Sequence, residues 1–419
     1  MSSRNQRPVG RRSATSVFYL LAIGSGVMRT VSVSFDIVAL NTMISDSIAF
    51  GFMAQWLALG VTVILIAFLS IPRKHNGRKR PIGYSLDPDF GRLRLLPRRP
   101  MKYLIAGGLL AGGSTFFYYL LAGQTDASTI LPYGQLVIIY LLLGDLLAEK
   151  DIPTIIEVQC IVSITLGVLL VGVTPGGFDI PSLLIVLGPM NVFSALYTYL
   201  QRRAKRMEIR PGLRVDSLNM RLWTLLFMNV SMSLMMLPLM TPATWTLILQ
   251  TFLPLFWVLL GSALTTFLAM VMYVRALGKG SMAVVNSLAA VSVVLGIPIT
   301  LLGNLLLPGA FGAITDDAFL WALKIFGVTL VVVGVLALQA ADVRSLVLVS
   351  VNPRAGSLID ALFDIKGVET AAALAGKHDY LLRVKGRSLT KTRSAVLKKI
   401  QKVPGVVSVR TLVVLADYK

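Results

Sequence analysis

The sequence predicts an α-helical multi-pass membrane protein that ends in a small α+β domain. Of its 419 residues, 55% are hydrophobic and only 14% are charged, whereas soluble domains carry about a quarter charged residues. Apolar segments long enough to span a bilayer follow one another from about residue 17 to residue 340. After Ala341 the pattern changes to the short alternating and amphipathic segments of a soluble domain.

Ten apolar segments meet the requirement of about 20 residues for a transmembrane helix. The predicted spans are residues 17–40, 50–71, 103–123, 128–147, 153–174, 180–201, 221–240, 252–276, 281–303 and 318–340. The first is the weakest because it contains Arg29 and Asp36. We therefore expect a ten-helix body over residues 17–340, preceded by a basic N-terminus at 1–16 and followed by a tail at 344–419.

The basic residues orient these spans. Net charge is +20, and most Lys and Arg lie in the N-terminus, in two loops near 72–102 and 202–221, and in the tail. The alternate loops contain no Lys or Arg: 41–49, 124–127, 175–179, 241–251 and 304–317. Basic loops face the cytoplasm, so ten spans in the cytoplasmic membrane place both termini inside the cell. This explanation of the charge leaves no reason to expect a nucleic-acid partner.

The body contains an internal repeat. One stretch ends in Ser163-Ile-Thr-Leu-Gly-Val-Leu-Leu-Val-Gly172, and a similar one ends in Lys324-Ile-Phe-Gly-Val-Thr-Leu-Val-Val-Val-Gly334. Repeats of about 17–174 and 180–340 would each hold five spans, and an odd number inverts the second relative to the first. Transporters built from inverted repeats place the substrate near the bilayer midplane.

Two further runs carry a family resemblance: Asn191-Val-Phe-Ser-Ala-Leu-Tyr-Thr-Tyr-Leu-Gln-Arg-Arg203, and the junction from Tyr273 to Leu288. With the glycine-rich ends of the fifth and tenth spans, they make the body resemble the drug/metabolite transporter superfamily, in particular its EamA-like members. The resemblance implies secondary transport of small metabolites by alternating access.

Polar side chains within the spans are the candidate substrate-binding residues. Arg29 lies near the middle of its span, where an idle charge is costly; the alternative is a structural ion pair with Asp36. Asn191 and Asn286 can bind substrate or hydrogen-bond another helix. Tyr197 and Tyr273 can line a cavity or anchor a helix at the interface.

The tail reads as β-α-β-β-α-β, the split βαβ or ferredoxin-like pattern. The expected strands are 345–351, 369–375, 379–385 and 406–415, with one helix from Ser357 to Gly367 and another at 388–402.

The tail motifs Gly376-x-x-Asp379-Tyr380-Leu-Leu-Arg-Val and Val403-Pro-Gly-Val406 resemble the effector-binding (RAM, ACT-like) domain of Lrp/AsnC regulators. That resemblance implies pairing of two tails into a homodimer and binding of a small ligand, often an amino acid. Gly376, Asp379 and Tyr380 are then the candidate effector-binding residues, although Asp379 could equally cap its turn. No helix-turn-helix precedes the tail, so DNA binding is not implied.

The expected function is secondary transport of small metabolites, with amino-acid export suggested by the tail. A membrane-anchored sensor without transport is the alternative from another class, and a third possibility makes the tail only an assembly module. The sequence contains no G-x-x-x-x-G-K-[S/T] loop, no nucleophile–base set and a single cysteine, Cys160. We therefore expect no ATP-driven pumping, no enzymatic activity, no metal and no cofactor.

Overall fold

The structure is a computed structural model that divides into a helical unit and a second unit containing the C-terminal sheet. It describes residues 10–75, 78–122, 127–147, 155–171, 173, 180–210, 213–311, 317–340, 343–353, 356–363, 365, 368–386 and 400–413. The predicted second tail helix lies for the most part outside these residues, as do residues of the predicted loops 72–102, 124–127, 175–179, 202–221 and 304–317.

The body is built from helices. In chain order they are α1 Gly10–Thr42, α2 Ser47–Leu69, α3 Arg98–Ala122, α4 Ala127–Gln135, α5 Val137–Leu147, α6 Ile155–Val171, α7 Ile180–Ile185, α8 Asn191–Lys205, α9 Ser217–Met236, α10 Pro242–Leu277, α11 Met282–Ala289, α12 Val291–Leu306 and α13 Ala318–Ala340. Short two-stranded hairpins also occur, β1 Pro72–His75 with β2 Arg78–Pro81, and β3 Glu208–Arg210 with β4 Leu213–Arg214.

Within the described residues, eight helical segments are long and apolar enough to cross a membrane. Two shorter apolar segments, Ile130–Asp145 and Val158–Val171, coincide with the predicted fourth and fifth spans. The mostly helical fold with several membrane-capable helices is thus confirmed and is consistent with a membrane protein, whereas the count of ten spans and the inverted repeat stay predictions.

Local capping fixes where the long helices begin. Asp46 Oδ1 accepts the Ile48 and Ala49 amides at the start of α2 at 2.9 and 3.0 Å. Thr241 and Thr244 form a capping box at the start of α10. This box corrects one boundary: residues 242–251, predicted as loop before a span at 252, form the first turns of α10.

Several helices are interrupted inside the membrane body. A turn at Leu136 separates α4 from α5, and another at Ala290 separates α11 from α12. The Gln135 side-chain amide donates to the Ser292 hydroxyl at 3.1 Å, which links these two breaks directly. A π-helical turn at Val186–Met190, containing Pro189, separates α7 from α8.

Glycines allow two pairs of helices to approach closely. A methyl group at Gly167 of α6 would come within 2.4 Å of the Gly327 carbonyl oxygen of α13, and Gly327 meets Gly167 in the same way at 2.6 Å. Gly108 and Gly112 of α3 likewise lie against the backbone of α9. This is the packing that small residues permit in membrane helices.

A loop from residue 82 to 97 follows the β1–β2 hairpin. The register of that hairpin places Arg73 opposite Arg80 and Lys74 opposite Lys79. The Arg80 guanidinium lies over the Tyr84 ring, 4.3 Å from its centroid.

The tail forms one antiparallel sheet from β5 Val343–Val351, β6 Val368–Ala373, β7 Tyr380–Gly386 and β8 Val406–Val413, in the order β6-β7-β5-β8. A short helix, α14 Ile359–Phe363, follows β5. Strands and order match the predicted pattern, with ends shifted by one or two residues. The buried core includes Val347, Val349, Leu382, Val384 and Leu362.

Candidate functional site

A cavity of about 190 Å³ lies inside the helical unit. Its wall includes side chains of α1, α2 and α3 from the first predicted repeat and of α8, α9, α10 and α11 from the second. The polar lining residues are Ser25, Arg29, Ser32, Asp36, Gln55, Ser114, Thr115, Tyr118, Tyr119, Asn191, Ser194, Tyr197, Thr198, Arg221, Ser262, Thr266, Tyr273 and Asn286. All five predicted substrate-binding residues are therefore brought together, although they lie up to 257 positions apart, from Arg29 to Asn286.

Arg29 reaches from α1 toward α4. Its Nη2 is so close to Gly134 that a methyl group there would lie 2.9 Å away. It forms no ion pair with Asp36, and no described residue accepts a hydrogen bond from it. The structural ion pair with Asp36, which was the alternative role considered for Arg29, is therefore not formed among the described residues. Its guanidinium is left available to the cavity.

The two predicted asparagines already hold helices in place. Asn191 Nδ2 donates to the carbonyls of Tyr133 and Val186, each at 2.8 Å, and so bridges α4 to the turn that precedes α8. Asn286 Nδ2 donates to the Tyr273 hydroxyl at 2.7 Å. Each amide still lines the cavity, so both roles weighed for them are compatible with their positions.

Tyr197 lies within electrostatic range of two arginines, Arg29 and Arg221. The sequence assigned Arg221 to a basic loop, but it lies inside α9 and is only 2% exposed. The signal that could have identified it is the Asp216 cap, which starts α9 five residues before Arg221.

Asp36 is a second residue whose place the sequence did not predict. It is 6% exposed, and its carboxylate accepts hydrogen bonds from Ser262 Oγ at 2.7 Å and from the Tyr118 hydroxyl at 3.4 Å. The described wall thus combines two cations, Arg29 and Arg221, with one carboxylate. Such a wall offers separate partners for the negative and positive groups of a zwitterion.

A buried ion pair ties the 82–97 loop to the ends of three helices. Lys205 Nζ at the end of α8 lies 3.1 Å from Asp87 Oδ2 and 3.3 Å from Asp89 Oδ2. The Ser217 amide at the start of α9 donates to Asp87 at 2.6 Å, and Arg275 at the end of α10 donates to the Leu86 carbonyl.

Burial alone would raise the pKa of Asp87, but the Lys205 ammonium and the Ser217 N–H outweigh it, so this pKa lies below its usual value. At Asp216 the balance is opposite. Burial raises its pKa even though Asn219 and Arg94 favour the charged form. The Lys205 ammonium and the Ser217 N–H therefore favour the charged form of Asp87 in this loop.

The three predicted effector residues sit at one turn of the tail. Gly376 has φ +151°, a conformation that favours glycine. Asp379 Oδ2 accepts the Val351 amide at 2.7 Å, and the Tyr380 hydroxyl accepts the Leu358 amide at 3.1 Å. Asp379 thus performs the structural role weighed for it, while its other oxygen has no hydrogen bond from the described residues.

Residues 345–419 match the family described as Lrp/AsnC ligand binding domain. The tail is an Lrp/AsnC ligand-binding domain. This domain indicates small-molecule sensing and is consistent with effector binding and oligomerisation. The match covers the tail and not the membrane body.

Two further comparisons concern the whole chain. No curated protein gives a significant match. A solved structure described as "Crystal structure of protein" aligns with 76% of this chain and 97% of its own, at 14% identity and a TM-score of 0.49. A likeness at that level indicates nothing about function.

Proposed function

We propose that the chain is a secondary transporter that moves small zwitterionic metabolites, amino acids foremost, by alternating access. The observation that carries this proposal is the cavity inside the helical unit, which residues of both predicted repeats line and which combines Arg29 and Arg221 with Asp36. The family resemblance of the body supports the same function.

The interrupted helices support transport over simple anchoring. Transporters place their substrates where helices are broken, at corresponding positions of two repeats. Here the break at Leu136 lies in the predicted fourth span and the break at Ala290 in the ninth, its counterpart in the repeat. The hydrogen bond from Gln135 to Ser292 brings these breaks together next to the cavity residues Gly134 and Ala289.

Charge and size support a zwitterion. An intramembrane arginine that no described residue bonds is costly unless a ligand compensates it, and a substrate carboxylate would supply that compensation at Arg29. A substrate ammonium group would likewise compensate the negative charge of Asp36. A cavity of about 190 Å³ is somewhat larger than one that holds benzene, about 150 Å³, and so suits a molecule of amino-acid size.

The Lrp/AsnC domain is proposed to pair with a second tail and to bind an amino acid as effector. Four sheet residues that alternate with the buried set, Leu346, Leu348, Leu381 and Leu412, stay partly or largely exposed. A second copy would cover such a surface. A tail that binds the substrate inside the cell would adjust export to the internal concentration of that substrate.

Reconstituted protein tests the transport function. Vesicles carrying wild-type chain should exchange a radiolabelled mixture of amino acids. Arg29→Leu should lower exchange at least tenfold, because the substrate carboxylate loses its cation, while Arg29→Lys should retain part of it. Equal rates for wild type, Arg29→Leu and protein-free vesicles would exclude transport.

The alternative, a membrane-anchored sensor, makes a different prediction. A sensor should show ligand-dependent thermal stabilisation without flux. Removing residues 344–419 separates the two functions further. For a regulated transporter, the truncated chain should retain basal exchange and lose its response to added effector. Unchanged kinetics with every amino acid tried would exclude the regulatory role.

A further inference from the structure

We infer that Asp36 is the proton-binding site of this protein and that proton and substrate occupy it alternately, which makes the carrier a proton–substrate antiporter. This inference rests on the proposed function, since it names the ion that drives it.

The first step is the surroundings of Asp36. Ser262 of α10 and Tyr118 of α3 both donate to its carboxylate, at 2.7 and 3.4 Å. Ser32, one turn earlier on α1, lies 3.2 Å from the Ser262 hydroxyl and contacts the Thr266 hydroxyl as well. The carboxyl group is therefore held by neutral hydroxyls from α3 and α10, and it lines the cavity.

The second step is the absence of a cation beside it. Arg29 lies seven residues earlier on the same helix, about 10 Å along the axis, and forms no ion pair with Asp36. The other described titratable groups that line the cavity are Arg221 on α9 and the phenols of Tyr118, Tyr119, Tyr197 and Tyr273. None of the described basic side chains lies within ion-pair distance of Asp36.

The third step follows from the cost of an uncompensated charge. A carboxylate at this depth needs a compensating positive charge. In the empty cavity a proton from water supplies it, and in the loaded cavity the substrate ammonium does. The two cannot compensate one carboxylate together, so loading substrate releases the proton. The binding site therefore crosses the membrane either with a proton or with substrate, so the two move in opposite directions.

The hydroxyl geometry favours a proton over a metal cation. A bound sodium ion needs the oxygen lone pairs of several ligands directed at one point. Ser262 and Tyr118 instead contact different oxygens of Asp36, Oδ1 and Oδ2 respectively, so their hydroxyls are not directed at one common point. When Asp36 takes up a proton, Ser262 and Tyr118 can still hydrogen-bond to its two oxygens.

Proteoliposomes with an imposed pH gradient and no sodium gradient test the inference, with the radiolabelled amino-acid mixture as probe. Wild type should accumulate label against its gradient, toward tenfold per pH unit for one-to-one exchange. Asp36→Asn should lose accumulation because it carries no exchangeable proton, and its exchange of label should fall as well because the substrate ammonium loses its partner. Asp36→Glu keeps both the proton site and that partner, and it should keep accumulation. Asp46→Asn is the matched control, since that carboxylate caps α2 away from the cavity and asparagine also caps.

The outcomes separate the two proposals. No flux in wild type contradicts the transport function itself. Flux without a response to the pH gradient, or accumulation driven by sodium instead, overturns the assignment of Asp36 while transport stands. If Asp36→Asn does not fold, proton release is measured on wild type in weakly buffered detergent. Adding the same amino-acid mixture should release about one proton per bound molecule, and no release contradicts the inference.

Discussion

Lys205 shows how much a single residue can hold together in this body. Its ammonium is almost fully buried between two aspartates and also donates to the Val215 carbonyl at 2.7 Å. Removing one partner of a buried pair leaves an uncompensated charge, which costs about 3–5 kcal/mol. The 82–97 loop, α8 and α9 all meet at this one side chain.

We predict that Lys205→Met lowers the free energy of unfolding by about 3 kcal/mol or more at pH 7. Lys102→Met, at an exposed position on α3, should change it by less than about 0.5 kcal/mol. The pKa of Asp87 is lowered in the folded state, so its contribution is present above the unfolded value of about 3.9 and is lost as the pH falls through the folded value. Thermal unfolding of both variants at pH 7 and near pH 2.5 checks this, and a Lys205→Met penalty that did not shrink at the lower pH would contradict it.

Sequence reasoning found residues by type and depth, and this was sufficient for Arg29, Asn191, Tyr197, Tyr273 and Asn286 to be placed on one wall. It could not predict what each side chain touches. Asn191 bonds a carbonyl 58 positions away, and such a partner leaves no local pattern. Asp36 was missed as a separate site because its nearest charged neighbour in sequence, Arg29, offered a simpler explanation.

At the scale of elements, the close approach of α6 and α13 depends on two glycines. Gly167 and Gly327 lie in the repeated segments recognised in the sequence, and each meets the carbonyl oxygen of the other. Ser163 adds a hydrogen bond to the Leu330 carbonyl at 3.2 Å. Any side chain at these positions must separate the helices.

Gly167→Ala should therefore lower the unfolding midpoint, with a cost of about 1–3 kcal/mol for overpacking. Gly60→Ala is the control, because a methyl group there meets no atom within 4 Å. Alanine also favours helix, so this control should be neutral or slightly stabilising. Equal midpoints for the two variants in detergent would show that α6 and α13 can separate at no cost.

Helix ends were predicted less well than helix positions. The predicted eighth span, residues 252–276, has about the length that a bilayer requires. The capping box at Thr241 instead starts α10 at Pro242, which makes the helix 36 residues long. Hydropathy indicates which residues can lie in lipid, but a helix ends where its backbone hydrogen bonds end, and hydropathy does not indicate that position. The strands of the tail were closer to prediction, since alternation and turn residues mark both ends of a strand.

At the scale of the whole molecule, orientation is the property that most needs measurement. Ten spans with both termini in the cytoplasm place residues 77 and 212 inside and residues 177 and 246 outside. In a Cys160→Ser background, single cysteines at these positions should react with an impermeant thiol reagent in intact cells only at 177 and 246. Reaction at 77 and 212 alone would reverse the orientation, and a mixed pattern would change the number of spans.

The division into membrane body and tail followed directly from composition, because the two parts are adapted to different solvents. How the halves of the body enclose a cavity did not. It depends on contacts between α1 and α10 and between the broken helices, which join residues more than 150 positions apart.

The β1–β2 hairpin has one more consequence. One of its cross-strand pairs joins like charges, Arg73 with Arg80, and like charges directly opposite each other destabilise a strand pair. Dissolved ions screen that repulsion, over about 8 Å at physiological ionic strength. This hairpin should therefore close more firmly as salt is added, the reverse of a surface held by ion pairs. Its conformation will differ between dilute neutral detergent and a leaflet rich in anionic lipid.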